Sequence, residues 1–183
     1  MVDRSVTLVV CGAPLTLRTV DLVSALRGAG WEPRVVGTPA AREWLDAEAV
    51  ERLTGWPPQF DYRAPTLERR ADPPTALVVC PATFNTINKT AVGAMDTYAL
   101  GQVCEAIGTR LPTLMVPMVN DKLWGHPAWA SSLAVLRATG VRLVDIHTGQ
   151  LGEVPTKSGT GAEVIERFDP AWLVAQLGAL TAG

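Results

Sequence analysis

The chain has 183 residues, of which 48% are hydrophobic and 19% charged, and a formal net charge of -2. That length and balance fit one globular domain spanning 1–183, with core enough for two helical layers, and exclude disordered and fibrous classes. Lys and Arg are scattered rather than clustered, which removes the electrostatic footprint of a nucleic-acid binder or a membrane-surface protein.

Taken in order, the opening MVDRSVTLVVCGAP has a short apolar run stopped at once by Gly-Ala-Pro. It reads as a first strand over Val6 to Cys11 rather than a signal peptide. Continuous apolar character is what a parallel strand covered on both faces requires. Leu15, Leu22, Val23 and Leu26 then recur at helical spacing up to Gly28-Ala29-Gly30, a helix with its stop. A second strand over Pro33 to Val36 leads into Thr38-Pro39, which predicts an N-cap and first helical residue for a helix running to Leu53. Trp56 to Pro74 holds five of the fourteen prolines and no periodicity, so it is a long excursion of the kind that serves a site or an interface.

Ala76 to Cys80 is the most apolar strand, ending at Pro81 in a turn that carries Thr83, Asn85, Thr86 and Asn88. A helix follows, with breaks expected near Gly93 and Gly101. Thr113 to Met118 reads as a strand, Trp124 to Thr139 as a helix, and Arg142 to Ile146 as a fifth strand. Gly149 to Gly161 is polar and Gly-rich, a flexible flap, and Ala162 to Phe168 and Ala171 to Leu180 are closing helices. Strands alternating with helices predict an α/β fold, a three-layer, doubly wound parallel sheet of Rossmann-like, flavodoxin type. In such a sheet the loops after the strands form the ligand crevice. Gly12-Ala13, Thr38 and Pro81 to Asn88 are therefore the candidate ligand loops, with main-chain amides suited to a phosphate.

No GxGxxG follows the first strand and no GxxxxGK[ST] occurs anywhere, against NAD and against ATP in a P-loop. Cys11, Cys80 and Cys104 are an odd set without short spacing, as expected of reduced thiols in a cytoplasmic protein. His126 and His147 are the only imidazoles, too few for a multi-histidine metal site. No run approaches the roughly 18 apolar residues of a membrane span.

Four collinear stretches carry a resemblance. Pro81-Ala82-Thr83-Phe84-Asn85-Thr86 is similar to a PASANT loop and continues through Lys89, Gly93 and Asp96. Pro117-Met118-Val119-Asn120-Asp121-Lys122-Leu123-Trp124 is similar to P-x-M-N-x-x-M-W, with aliphatics at both methionine positions. Val10-Cys11-Gly12-Ala13 resembles a V-T-G-S phosphate loop, and Thr38-x-x-Ala41-x-x-Trp44 a T-x-x-A-x-x-F helix start. Together they resemble the homo-oligomeric flavin-containing cysteine decarboxylases, the family of phosphopantothenoylcysteine decarboxylase and of the lanthipeptide enzymes that oxidatively decarboxylate a peptide's C-terminal cysteine.

The resemblance implies FMN, with its phosphate near Gly12, Ala13 and Thr38 and its ring against Trp44 and the loop Pro81, Ala82, Thr83, Asn85, Thr86. It implies catalytic roles for Asn85 and Asn120, with Asn120, Trp124 and Arg63 facing a small-molecule or peptide substrate. It also implies a homo-oligomer, a trimer or dodecamer, with the site at a trimer interface. Two family features are missing. Residues 57–75 contain no histidine, and Gly149-Gln150-Leu151-Gly152-Glu153-Val154 contains no cysteine. Without the flap thiol, reduction to the saturated amine should fail, which points away from phosphopantothenoylcysteine as substrate. Two alternatives stay open: a flavin-binding or regulatory protein without turnover, and a flavin prenyltransferase-like enzyme.

Overall fold

The computed structural model describes residues 4–62 and 73–182. Five parallel strands, β1 (Ser5–Val10), β2 (Glu32–Gly37), β3 (Ala76–Ala82), β4 (Thr113–Pro117) and β5 (Arg142–Leu143), form one sheet in the order β2-β1-β3-β4-β5. That order is the doubly wound, flavodoxin-type one, whose switch point lies between β1 and β3: the connection after β1 runs to one side, to β2, and the connection after β3 runs to the other, to β4.

The helices are α1 (Thr19–Gly28), α2 (Ala47–Thr54), α3 (Phe84–Ala91), α4 (Tyr98–Gly108), α5 (Asp121–Trp124), α6 (Pro127–Ala138), α7 (Gly161–Arg167) and α8 (Pro170–Thr181). Alternation along each strand sorts them into two layers. Val6, Leu8 and Val10 of β1 face a core shared with Leu22 and Leu26 of α1 and Leu173 and Leu177 of α8. Val9 and Cys11, pointing the other way, join Ile87 of α3, Val103 of α4 and Leu133 of α6. Each fully buried Leu, Ile or Val contributes about 1.5–3 kcal/mol.

Several boundaries differ from the sequence reading. The helix expected from Thr38 to Leu53 begins only at Ala47, where the Asp46 side chain accepts from the Ala49 N–H at 2.9 Å. Pro39–Ala41 is instead a short 3-10 turn, and Thr38 makes no capping bond. β3 continues through Pro81, whose preceding peptide bond is cis, to Ala82, with a register shift between Val79 and Ala82. Asn85, Thr86 and Asn88 consequently sit in the first turns of α3 rather than in a loop. The chain does break at Gly93, in left-handed conformation, but α4 runs straight through Gly101. The helix expected over Trp124 to Thr139 is two helices parted at Gly125-His126, because a residue before proline disfavours helical geometry. β5 covers only the first two of its five expected residues.

The described parts of both irregular segments are tied down. Gln59 runs alongside β2, accepting from the Gly37 N–H at 2.9 Å and donating to the Val35 carbonyl at 3.0 Å. Phe60 lands on Gly37, where a Cβ would meet its ring at 2.2 Å, and Tyr62 lands on Gly101, where a Cβ would meet its hydroxyl at 2.9 Å. The segment expected as a flexible flap is stitched to the sheet: Leu151 bridges Val144, and Thr156 bridges Asn120 through the Val119 carbonyl and the Asp121 N–H. Gly149 there has φ +70° and carries the indole of Trp172. Among the described residues no helix is long and apolar enough to cross a membrane.

Candidate functional site

A cavity of about 580 Å³ opens where β1, β2, β3 and β4 end, within the size range of small-molecule sites. Gly12 and Ala13 follow β1, Thr38 follows β2, and Thr83 with the start of α3 follows β3, so the sheet's switch point supplies its floor. The Thr38 N–H donates to the Val10 carbonyl at 2.9 Å, which locks the first two strand ends together. Gly12 is required by packing: a Cβ there would lie 2.7 Å from Ala40 Cβ and 2.8 Å from the Ala40 carbonyl oxygen.

Polar groups are few and defined. Thr38 Oγ1 is buried without a hydrogen-bond partner, an arrangement that costs about 1–3 kcal/mol unless something meets it. Thr83 caps α3, its Oγ1 accepting from the Thr86 N–H at 3.4 Å and lying 3.0 Å from Thr86 Oγ1. Asn85 is exposed in the first turn of α3 and lines the cavity. Asn120 caps α5, where Oδ1 accepts from the Leu123 N–H at 3.0 Å. The capping oxygen must face the N–H, so its amide donors remain for a ligand.

The far wall is apolar. Phe84, Leu100, Met118, Val119 and Leu123 line it. Phe84 stacks on Trp129 at 5.5 Å, Trp129 meets Trp124 at 4.9 Å, and His126 meets the Phe84 ring edge-on at 5.5 Å. His126 Nδ1 accepts from the Ala128 N–H at 3.1 Å and so starts α6. Asn88 is structural as well: it donates to the Phe84 carbonyl and accepts from Ser132 at 2.6 Å, tying α3 to α6. No Asp, Glu, Lys, Arg or His lines the cavity among the described residues. The Lys89–Asp96 pair closes the turn at Gly93, and Lys89's hydrogen bond holds the Asp96 carboxyl below its ordinary range.

Of the residues singled out from sequence, Gly12, Ala13, Thr38, Thr83, Asn85, Thr86 and Asn120 come together at the cavity. Pro81 and Ala82 are buried in β3 and do not line it, and neither do Trp44, which is 37% exposed, and Trp124, which packs on Trp129. Arg63 lies outside the described residues. The sequence reading placed Phe84 within a candidate ligand loop without giving it a role, and missed Leu100 as a wall residue. Val119 and Leu123 were visible in principle, since they occupy the two methionine positions of the second motif.

Beneath the floor lie two sealed thiols. Burial pushes Cys11 up from its ordinary value of 9.0, with Thr86 and Thr83 contacts offsetting part of the shift, and burial followed by the nearby Cys11 pushes Cys80 up further. The unfolded chain releases these protons near pH 9 while the folded chain keeps them, so stability is full below that pH and falls above it. The expected slope above that pH is roughly 1.4 kcal/mol per pH unit for Cys80, with Cys11 acting in the same direction. Melting curves between about pH 8 and 10.5 check this, and Cys80→Ala should shallow the decline by one thiol's share.

Residues 1–164 match the family model described as Flavoprotein. The bifunctional coenzyme A biosynthesis protein CoaBC of Mycobacterium tuberculosis H37Rv is 27% identical over 183 residues, covering 96% of this chain and 41% of that protein. The chain thus spans about two fifths of the length of such relatives. Two solved structures share the fold. One is a PPC decarboxylase mutant complexed with pantothenoylaminoethenethiol, with TM-score 0.74, 18% identity, and 99% of this chain and 100% of that one covered. The other is the FMN-dependent cysteine decarboxylase SpaF, with TM-score 0.68, 23% identity, and 95% and 97% covered.

Proposed function

The chain belongs to the Flavoprotein family, and from that premise we propose that it holds FMN in the cavity and catalyses flavin-dependent decarboxylation of a cysteine-containing small molecule or peptide. The observation that carries the cofactor is Thr38 Oγ1, a buried hydroxyl without a protein partner at the wall of a cavity whose other polar groups are small donors. Such a wall fits a phosphate held by hydrogen bonds rather than by ion pairing.

Gly12, Ala13 and Thr38 hold the phosphate in this reading, and Thr83, Asn85 and Thr86 meet the ring. Bound FMN supplies a two-electron acceptor for the substrate's cysteine carbon-sulfur unit, the chemistry that lets carbon dioxide depart. The protein's part is orientation and water exclusion: Asn85 and the Asn120 amide position the reacting group, and Phe84 and Leu123 keep the wall dry. Trp44, Trp124 and Arg63 belong to the proposal only if a homo-oligomer, in a cytoplasmic setting, brings them to the site. A second reading, flavin binding without turnover, is favoured by the absence of a titratable side chain among the described lining residues.

Titration with FMN should yield a yellow protein at one flavin per chain; a chain that takes up none overturns the cofactor assignment. Anaerobic incubation of the yellow protein with cysteine-ending peptides or pantothenoylcysteine should bleach the flavin and release carbon dioxide. A flavin that stays oxidised with every such substrate rejects decarboxylation in favour of the second reading.

A further inference from the structure

We propose that Asp121 is a positioning residue: its carboxylate latches the polar segment after β5 onto the loop after β4, and through Thr156 it fixes the main chain on both sides of Asn120. The segment that reads as a flap in the sequence is then a fixed support of the site. For turnover this rests on the reading in which the Asn120 amide positions the reacting group.

Every bond of this latch has a main-chain N–H as its donor, so no direction is ambiguous. The Thr156 N–H donates to the Val119 carbonyl at 2.9 Å, and the Asp121 N–H donates to the Thr156 carbonyl at 3.0 Å. Those are the peptide groups on either side of Asn120, which Thr156 therefore grips as a neighbouring parallel strand would. Asn120 is held at φ -73° and ψ 156°, and this sets where its side chain leaves the main chain. The Leu123 N–H then claims Oδ1 at 3.0 Å, and the side chain is fixed at both ends. The Thr156 hydroxyl contributes nothing to the grip, being buried without a partner. Side chains pin the segment on both sides of it instead. Glu153 pairs with Arg137 of α6, and the Ser158 N–H donates to Asp121 Oδ1 at 3.0 Å. The second pin is two residues from Thr156, and a carboxylate is a stronger acceptor for a main-chain N–H than a neutral oxygen. Asn120 lines the cavity and Asp121 does not, so Asp121 acts through Thr156 and Asn120.

Two measurements test this. Amide exchange followed by NMR in the flavin-free protein reads the latch without any ligand. Asp121→Ala should speed exchange at Ser158 and Thr156 about tenfold, as expected for one lost hydrogen bond, and should move the Asn120 side-chain amide resonances. Asp121→Asn keeps an acceptor oxygen and should leave both close to wild type. Unchanged exchange and resonances in Asp121→Ala overturn the latch. Flavin-loaded protein reads the consequence. Asp121→Ala should slow bleaching by cysteine-ending peptides about tenfold while FMN affinity stays at the wild-type value, and Asp121→Asn should restore the rate. An unchanged rate in Asp121→Ala, or a loss that Asp121→Asn does not restore, overturns the positioning role. If the wild-type protein takes up no FMN while Asp121→Ala moves exchange and resonances, the latch is supported and the flavin reading is overturned.

Discussion

Replacing Thr38 with Val should weaken FMN binding by roughly ten- to a hundredfold and at the same time raise the melting temperature of the flavin-free protein. Both signs follow from one atom. Thr38 Oγ1 is buried with no partner, so without a ligand it costs about 1–3 kcal/mol, and an isosteric methyl removes that cost. Val is β-branched and suits the extended backbone at φ -67° and ψ 157°. The gain corresponds to about 2–4 °C per kcal/mol for a chain of this size. With the phosphate bound, the hydroxyl makes a charge-assisted bond of about 1.5–3 kcal/mol, and Val forfeits it. Calorimetric melting of the apoprotein and flavin titration read the two halves separately. A variant that melts lower and binds normally would place the hydroxyl in the protein's own hydrogen bonding and remove it from the site.

Gly149→Ala should lower stability by roughly 2–5 kcal/mol. Two independent costs meet there. The residue has φ +70°, where a side chain costs about 1–2 kcal/mol. Its Cβ would also stand 2.2 Å from Trp172 Cγ and 2.5 Å from Trp172 Cβ. The second atom is next to the α8 backbone, so no side-chain rotation relieves it, and overpacking of this kind costs about 1–3 kcal/mol. Gly159 is the control: its φ is +89° but nothing lies within 4 Å of its would-be Cβ. Gly159→Ala should therefore show the backbone cost alone. Equal melting-temperature losses in the two variants would mean that the Trp172 contact contributes nothing.

The strand order and the loops that build the cavity were legible because apolar runs such as Val6 to Val10 and Ala76 to Cys80 carry their own signal. What escaped was information stored far away in sequence. Thr38-Pro39 is a good local helix start, yet the helix waits for Asp46, because Ala40 must pack on Gly12 and the Thr38 side chain is held at the cavity. Gly101 reads as a breaker, but its missing side chain is where the Tyr62 hydroxyl rests. The polar flap looks loose until Thr156 is seen bonded across to Val119 and Asp121. The split at Gly125-His126 was missed although its signal is local, since His-Pro is a helix boundary by itself. At the site, Gly12, Ala13, Thr38, Thr83, Asn85 and Thr86 were found from their place after the strands, and Asn120 from the resemblance. Phe84 was given no role and Leu100 was missed, since an apolar residue that lines a cavity has the same local pattern as one in the core.

The segments laid along the two outer strands have a consequence for how copies of this protein can meet. A bare outer strand is a template on which another chain can add itself and propagate a fibril. Here Gln59 takes the outward main-chain groups of Val35 and Gly37, and Gln150 to Gly152 fold back on Leu143 to Asp145 at the opposite side. The sheet is therefore finished at both ends by its own chain. Strand-on-strand addition is thus blocked where these segments lie, and a change that detaches Phe60 from Gly37 would reopen one template.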